Sequence, residues 1–397
     1  MRSFVYSPKR KLAVLNMSKL KEQLPALLTQ VLVVGAIVYV ALQLFHNTQA
    51  NLEARNIASG FGFLSVEGGL PINDSLLPYT PADTYGRAFA MGILNTLFVS
   101  ALSIVLATIL GVIIGIARVS GNWLVAHLAA VYVEVLRNVP LLLTLFFCYS
   151  TLLAFLPSPR MSLVPFGDIF INNRGVYVPR PFFQDGMGWV ILALVTAIAA
   201  SVALVRVSKR MRDETGRGLH SGWISLGLIF GLPAAAYFLT GQPLDFDAPV
   251  LSGFNFKGGM VLRPEFSALL IGLVLYTAAF IGENVRSGIQ SVDAGQLDAA
   301  KALGLSPGPI MRKVILPQTL RVCIPATTND YTSLIKNSSL AVAIGYPDMV
   351  SIGGTIIGQN DQAIEIIGLW MAVYLTINLV VSLVMNWFNA KVQLVER

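Results

Sequence analysis

Asp298-Ala299-Ala300-Lys301-Ala302-Leu303-Gly304, followed after nine residues by Val314-Ile315-Leu316-Pro317, stands between strongly hydrophobic segments of the chain. A polar run punctuated in this way is expected there only if something outside the membrane reads it, so the stretch suggests a docking site. The pattern Asp293-Ala294-Gly295-Gln296 matches a capping box, in which the first side chain accepts from a backbone N–H and the fourth reaches back. Leu297, Ala299, Ala300, Ala302 and Leu303 then favour helix and expose a small-residue surface, and Gly304 supplies the left-handed position that commonly ends one. The spacing predicts a helix over 293–303, about 15 Å long. Ser306-Pro307 signals a second start, over about 307–316, until Pro317 interrupts the hydrogen-bond ladder. On physical grounds alone this helix–turn–helix unit fits either a groove on a partner or a membrane surface.

The surroundings of the unit set its context. Of the 397 residues, 55% are hydrophobic and 12% charged, a balance that soluble cores could not hide, so the bilayer is the solvent. A hydrocarbon core of about 30 Å needs roughly 20 apolar residues as helix. Windows of that kind lie at 24–45, 90–117, 139–156, 188–206, 222–240, 266–283, 324–345 and 366–388. The expected class is an all-α multi-pass membrane protein with about eight transmembrane helices. The third window is short, and the seventh carries Asn329, Asp330, Lys336 and Asn337.

With the N-terminus in the cytoplasm, 20 of the 28 Lys and Arg residues fall in cytoplasmic segments and 7 in external ones. The positive-inside rule therefore predicts that both termini are cytoplasmic. A net charge of +7 would need to be gathered on one soluble face to imply nucleic acid, and it is spread along the loops instead. Lys9, Arg10, Lys11, Lys19 and Lys21 ahead of an apolar run resemble a secretory signal, but that run is long for such a segment and lacks a small-residue cleavage site. It is read as an uncleaved first helix. The external loops at 46–88 and 157–187, rich in Gly, Asn and Pro, are read as turn-rich connectors too short for a core of their own. Arg206, Lys209, Arg210, Arg212 and Arg217 are read as topology anchors beside anionic lipid.

Ionisable residues in or near the apolar windows carry two readings each. Glu283 and Arg286 sit three apart on one helix face, where they can pair with each other or with Glu134 and Arg137. They are either a structural ion-pair network or a cytoplasmic gate whose pairs change between states. Asp330 and Lys336, with Asn329 beside them, lie inside a spanning window, where charge is expensive and usually faces a cavity or partner. They either line a path for a substrate of mixed charge, or satisfy each other or a subunit interface. Gly227 and Gly231 in the fifth window are a possible close-approach surface, or a chance spacing. Cys148 and Cys323, far apart and without metal-like spacing, are read as small packing residues.

The run from Asp298 to Pro317 resembles the cytoplasmic signature loop of ABC importer permeases, which begins Glu-Ala-Ala, has Gly at the same offset and ends Ile-x-Leu-Pro. Asp298 and Val314 depart from that pattern while keeping charge and shape. Further motifs narrow the resemblance to permeases for polar amino acids: Asn95-Thr96-Leu97, the stretch from Tyr132 to Pro140, the stretch from Gly282 to Ile289, Gly295-Gln296, and Leu334 to Leu340. The family's usual core has five spans, matching the second, third, sixth, seventh and eighth here. The first span and the fourth–fifth pair are extra, as in the long permease subunits of general L-amino-acid and glutamate/glutamine/aspartate/asparagine importers.

That resemblance divides the chain into a cytoplasmic N-terminal segment at 1–23, an extra span and external loop at 24–84, a first part of the permease core at 85–156, an inserted region with two extra spans at 157–264, and a second part of the core at 265–397. It implies that Asp293, Gln296, Asp298, Ala299, Ala300, Gly304, Leu316 and Pro317, in the loop at 290–320, meet a cytoplasmic ABC ATPase. It also implies a second homologous permease subunit, an external or periplasmic amino-acid-binding protein, an amino-acid substrate, and a place in the bacterial inner membrane. No G-x-x-x-x-G-K phosphate loop occurs in the chain, so ATP and Mg are expected on the partner, with no cofactor, metal or catalytic residue here. An intramembrane enzyme would need clustered ligands or acid–base pairs, whereas His46, His127 and His220 are scattered. The remaining alternative, an ion-driven secondary amino-acid carrier, would show internal repeats, and no second copy of the 293–317 unit is evident.

Overall fold

A computed structural model describes residues 17–54, 59–215 and 220–392. Residues 1–16, Arg217 and residues 393–397, on which part of the terminal and anchoring expectations rest, lie outside the described residues. Helix α1 (Met17–Ala54) contains the apolar stretch Leu28–Thr48, none of whose core window is buried against the rest of the chain. Helix α2 (Tyr85–Arg118) is started by Thr84, whose hydroxyl accepts from the Arg87 N–H at 3.3 Å. Helix α3 (Trp123–Asn138), capped by the Asn122 side chain, meets α4 (Leu141–Phe155) at a bend of 108°. Pro140 sits in that bend, where its missing N–H and ring prevent the ladder from running through. At 15 residues α4 is about 22 Å long, shorter than a bilayer core, as the short third window anticipates.

The inserted region is a hairpin of α5 (Met187–Thr215) and α6 (Ser221–Leu239). Its small-residue approach lies on α5, which buries Ala197, Ser201 and Ser208. The expectation for Gly227 and Gly231 is not met: α6 buries no residue, and a Cβ on either glycine would find nothing within 4 Å. The hairpin is framed by seven short strands, namely β1 (Phe170–Asn172), β2 (Gly175–Val178), β3 (Arg180–Phe183), β4 (Leu244–Asp247), β5 (Val250–Ser252), β6 (Asn255–Lys257) and β7 (Met260–Leu262). They pair antiparallel as β1-β2-β7, β3-β4 and β5-β6. The loop at 157–187 is therefore more than a connector. With its counterpart after α6 it encloses Tyr177, Phe170 and Phe256, whose rings lie 4.6–4.7 Å apart, a small core that neither loop could form alone.

Helix α7 (Pro264–Gln290) is the hub. Its buried face of Ala268, Leu269, Leu273, Ala278, Ala279, Ile281 and Gly282 meets α2, α3 and α4. Gly111 and Gly115 permit the approach of α2: a Cβ there would lie 2.7 Å from Ile281 Cβ and 2.5 Å from Val285 Cβ. Small residues let backbones close in where no water remains to drive apolar association. Beyond α7 come α8 (Ala294–Ala302), the single turn α9 (Pro307–Ile310), a π-helical turn at Met311–Ile315, and α10 (Leu316–Asn337), which runs on as a 3-10 segment through Ile344. A bend of 53° separates this run from α11 (Met349–Asn360), and α12 (Ala363–Val392) completes the chain.

Among the described residues, six helices are long and apolar enough to cross a membrane, and up to eight spans result if each bent pair counts as one. The loops at 59–84, at the strands and at 360–363 share one face. Arg263 pairs with Asp74 at 3.0 Å, Tyr85 Oη donates to Gln359 at 2.9 Å, and the Gly60 N–H donates to Glu365 at 2.7 Å. That is the alternation a serial crossing requires.

Candidate functional site

The signature stretch folds largely as its punctuation indicates. Asp293 Oδ1 accepts from the Gly295 N–H at 2.7 Å and starts α8, and Gly304 ends it at φ +71°. The Gly304 N–H bonds Lys301 O at 2.9 Å and the Leu305 N–H bonds Ala300 O at 3.2 Å, satisfying carbonyls the helix end leaves open. The reciprocal half of the capping box does not form. Gln296 turns away from Asp293 and accepts from Gln318 Nε2, which ties α8 to α10. Ala300 and Ile310 are buried and anchor the unit. Asp298, Ala299, Lys301 and Ala302 face outward, with Leu303 80% exposed at the tip.

The second helix does not stop at Pro317. Proline falls in the first turn of α10, where its missing N–H costs little, and the widened π turn before it absorbs the ring. The result is one rod from Pro307 to Ile344, continuous from the turn after α8 into the polar seventh span.

At the same end of the bundle, Glu283 pairs with Arg286 one turn on, and Arg286 Nε lies 3.1 Å from Glu283 Oε2. Its second partner is Arg118, the last residue of α2, rather than Arg137 or Glu134. Arg137 instead lies over the Phe280 ring at 5.3 Å, and Glu134 is engaged by Asn138 Nδ2, 2.7 Å from its carbonyl. Arg286 Nη1 also donates to Gln290. The network therefore clamps the ends of α2 and α7, with Arg118 only 13% exposed at its side chain. Arg118 was legible only as a basic residue in a last helical turn, where it complements the helix dipole.

Deeper in, Asp330 and Lys336 do not satisfy each other. Asp330 accepts from Asn284 Nδ2 at 2.6 Å, while Lys336 and Asn329 point away into exposed positions. Six residues along a helix place two side chains on different faces. Asp330 borders a cavity of about 290 Å³ between α7 and α10, shared with Tyr276, Thr277, Phe280, Ser333, Leu334 and Asn337. Tyr331 and Thr108 share a hydrogen bond of 2.7 Å, and the buried Cys323 thiol donates to Asn284 O at 3.1 Å. Cys148 is likewise a buried packing residue. Asn284, next to Glu283 in sequence, thus joins the ion-pair clamp to the cavity wall, a role its spacing did not announce.

A bundle crossing the membrane about eight times, built on a small-residue seam, with a polar cavity between spanning helices and an exposed helical unit at one end, has the features of a multi-pass transport protein. Residues 249–394 match the family described as "Binding-protein-dependent transport system inner membrane component". Over 372 residues, covering 94% of this chain and 92% of the relative, it is 50% identical to the General L-amino acid transport system permease protein AapQ of Rhizobium johnstonii. It is also 50% identical over 374 residues, 94% and 95% of the two chains, to the Putative amino-acid ABC transporter permease protein YhdX of Escherichia coli. Identity is 37% over 386 residues, 89% and 90% of the two chains, to the Glutamate/glutamine/aspartate/asparagine transport system permease protein BztB of Rhodobacter capsulatus. The chain belongs to the family of binding-protein-dependent ABC importer permeases, multi-pass components of the inner membrane that translocate and carry out no chemistry themselves.

Proposed function

We propose that this chain is one of two related permease subunits of an importer for L-amino acids, energised by a separate cytoplasmic ATPase that holds ATP and Mg, and supplied by an external amino-acid-binding protein. The full-length similarity to amino-acid permeases supports the cargo class. The single observation that carries the coupling role is the exposed face of α8 with Leu303 at its tip, fixed to the rod of α10 through Gln296 and Gln318. Asp293 and Gly304 hold that helix in place, Asp298, Ala299 and Ala300 form its body, and Leu316 and Pro317 begin the rod that transmits its movement.

In this reading both termini and α8 are cytoplasmic, and the face with the strands is external. Nucleotide-driven displacement of α8 moves α10 and, through their packing, α7, and the shift of α7 against α2 separates or closes the Arg118–Glu283 arm of the clamp at the cytoplasmic end. Asp330 and its cavity lie on the path above that clamp. There the carboxylate suits the ammonium of an amino acid, while Asn329 and Lys336 add polar groups on other, exposed faces of the same helix. Arg137 and Glu134 border the clamp without joining it.

Copurification tests the assembly. A tagged chain extracted in mild detergent brings down an ATPase and a second permease, and proteoliposomes of that complex take up amino acids only with ATP and binding protein. A lone chain with ion-driven uptake would overturn the proposal.

A further inference from the structure

The ribbon β3–β4 has two chemically different faces. Residues directly opposite each other in an antiparallel pair share a face, so the register Pro181↔Phe246 and Phe183↔Leu244 collects four apolar side chains on one side. The register Arg180↔Asp247 and Phe182↔Asp245 puts both carboxylates and the guanidinium on the other, with the single exposed ring of Phe182 among them. Phe183 is 64% and Phe246 56% exposed while Leu244 is half-buried, so the described residues leave most of the apolar face open.

The ribbon is joined to the ends of α5 and α6 almost without a linker. The Gln184 N–H donates to Pro243 O at 2.9 Å, and three residues separate Phe183 from the start of α5, at most about 10 Å of chain. Large apolar side chains continue at that level, with Trp189 near the start of α5 and Phe238 and Leu239 at the end of α6 all more than 60% exposed. Because α6 buries nothing, its surface is the lipid-facing one, and the apolar face of the ribbon extends it.

We infer that β3–β4 is an interfacial anchor that lays Pro181, Phe183, Leu244 and Phe246 into the headgroup–acyl boundary of the leaflet on its face, the outer one in the proposed orientation. Aromatic side chains favour that depth. The unpaired outer edges of a two-stranded ribbon cannot enter hydrocarbon, whereas in the headgroup layer they keep water while the apolar face leaves it. A protein partner fits the ribbon poorly. Four residues per strand at about 3.3 Å and a strand spacing of about 4.8 Å give a face on the order of 100 Å², far below the roughly 800 Å² per partner of a stable interface.

Four single-cysteine variants of the full chain, Phe246→Cys, Asp247→Cys, Phe183→Cys and Phe182→Cys, each with Cys148 and Cys323 replaced by serine, test this. They are spin-labelled with the complex reconstituted in phosphatidylethanolamine–phosphatidylglycerol vesicles, and label collision is measured with lipid-soluble oxygen and with a water-soluble nickel chelate. Labels at 246 and 183 are expected to favour oxygen severalfold over the chelate, and labels at 247 and 182 the reverse. Equal chelate access at all four positions would place the ribbon in water and overturn the inference. Exclusion of both reagents at 246 and 183 would do the same by showing a protein partner, whether the second permease or the binding protein. The two pairs are independent, so loss of one variant leaves the alternation measurable.

Discussion

Gly304 is the residue at which the chain turns from α8 toward α9. At φ +71° an L side chain costs about 1–2 kcal/mol in backbone strain alone, since a Cβ there meets nothing within 4 Å. Gly304→Val is therefore expected to abolish ATP-driven uptake while leaving the amount of membrane-inserted chain unchanged, and Gly304→Asn, which tolerates that conformation, to retain most uptake. Wild-type transport by Gly304→Val proteoliposomes would reject the coupling assignment. Glu283 presents a different problem, because it answers two arginines at once. Glu283→Gln leaves Arg118 and Arg286 uncompensated and is expected to destabilise by roughly 1–3 kcal/mol, and adding Arg118→Met to recover part of the loss, a coupling readable in a double-mutant thermal-unfolding cycle. Asp74 lies in the loop between α1 and α2, where burial pushes its carboxyl up to about 6 against the opposing pull of Arg263, with Glu265 raising it further. An acid whose folded value is raised favours the folded state below its ordinary value near 3.8, and that contribution is lost as pH rises through about 6. The melting temperature of the wild type should therefore fall, relative to Asp74→Asn, between pH 4 and pH 7; parallel pH profiles would show that Asp74 does not sense its burial.

At the scale of elements, the seam of α2 and α7 shows how glycine matters only where a neighbour arrives. Gly115→Leu drives a side chain into Val285, and overpacking of that kind is expected to cost about 1–3 kcal/mol and to lower the yield of folded complex in size-exclusion profiles. Gly227→Leu on α6 should behave as wild type, because the space beside it is open. Both glycines sit in apolar windows, and nothing local in the sequence distinguishes them. The start and stop of α8 were legible, since Asp293 and Gly304 act on their own neighbours through local hydrogen bonds and a single dihedral. The fate of Pro317 was not, because whether a π turn widens the helix ahead of a proline depends on tertiary packing that the neighbouring residues do not encode. The strands on either side of the inserted hairpin were hidden for a related reason: β2 pairs with β7 and β3 with β4 across that hairpin, a register that no window of neighbouring residues encodes.

For the whole molecule, the inserted hairpin reads as an attachment to a core that does not depend on it. Its ends are already together, Gln184 and Pro243 being hydrogen-bonded at 2.9 Å, and the pair of spans enters and leaves on one face. Replacing 187–239 with a short Gly/Ser linker is thus expected to keep topology and ATP-dependent uptake; loss of the folded core in that deletion would assign the hairpin a structural role. The sequence by itself determined the membrane class, the apolar windows that give six to eight candidate crossings, the start and stop of α8 and the family resemblance, because hydropathy, capping and motif spacing are written in residues close together along the chain. Only the tertiary structure decided that Glu283 is answered by Arg118, that Asp330 turns to Asn284 rather than to Lys336, and that the loops on either side of the inserted hairpin share a β cap. Each of those depends on side chains up to 165 positions apart meeting on helices whose relative rotation is set by the small-residue seam, and rotation about a helix axis leaves no trace in a linear pattern of polar and apolar residues.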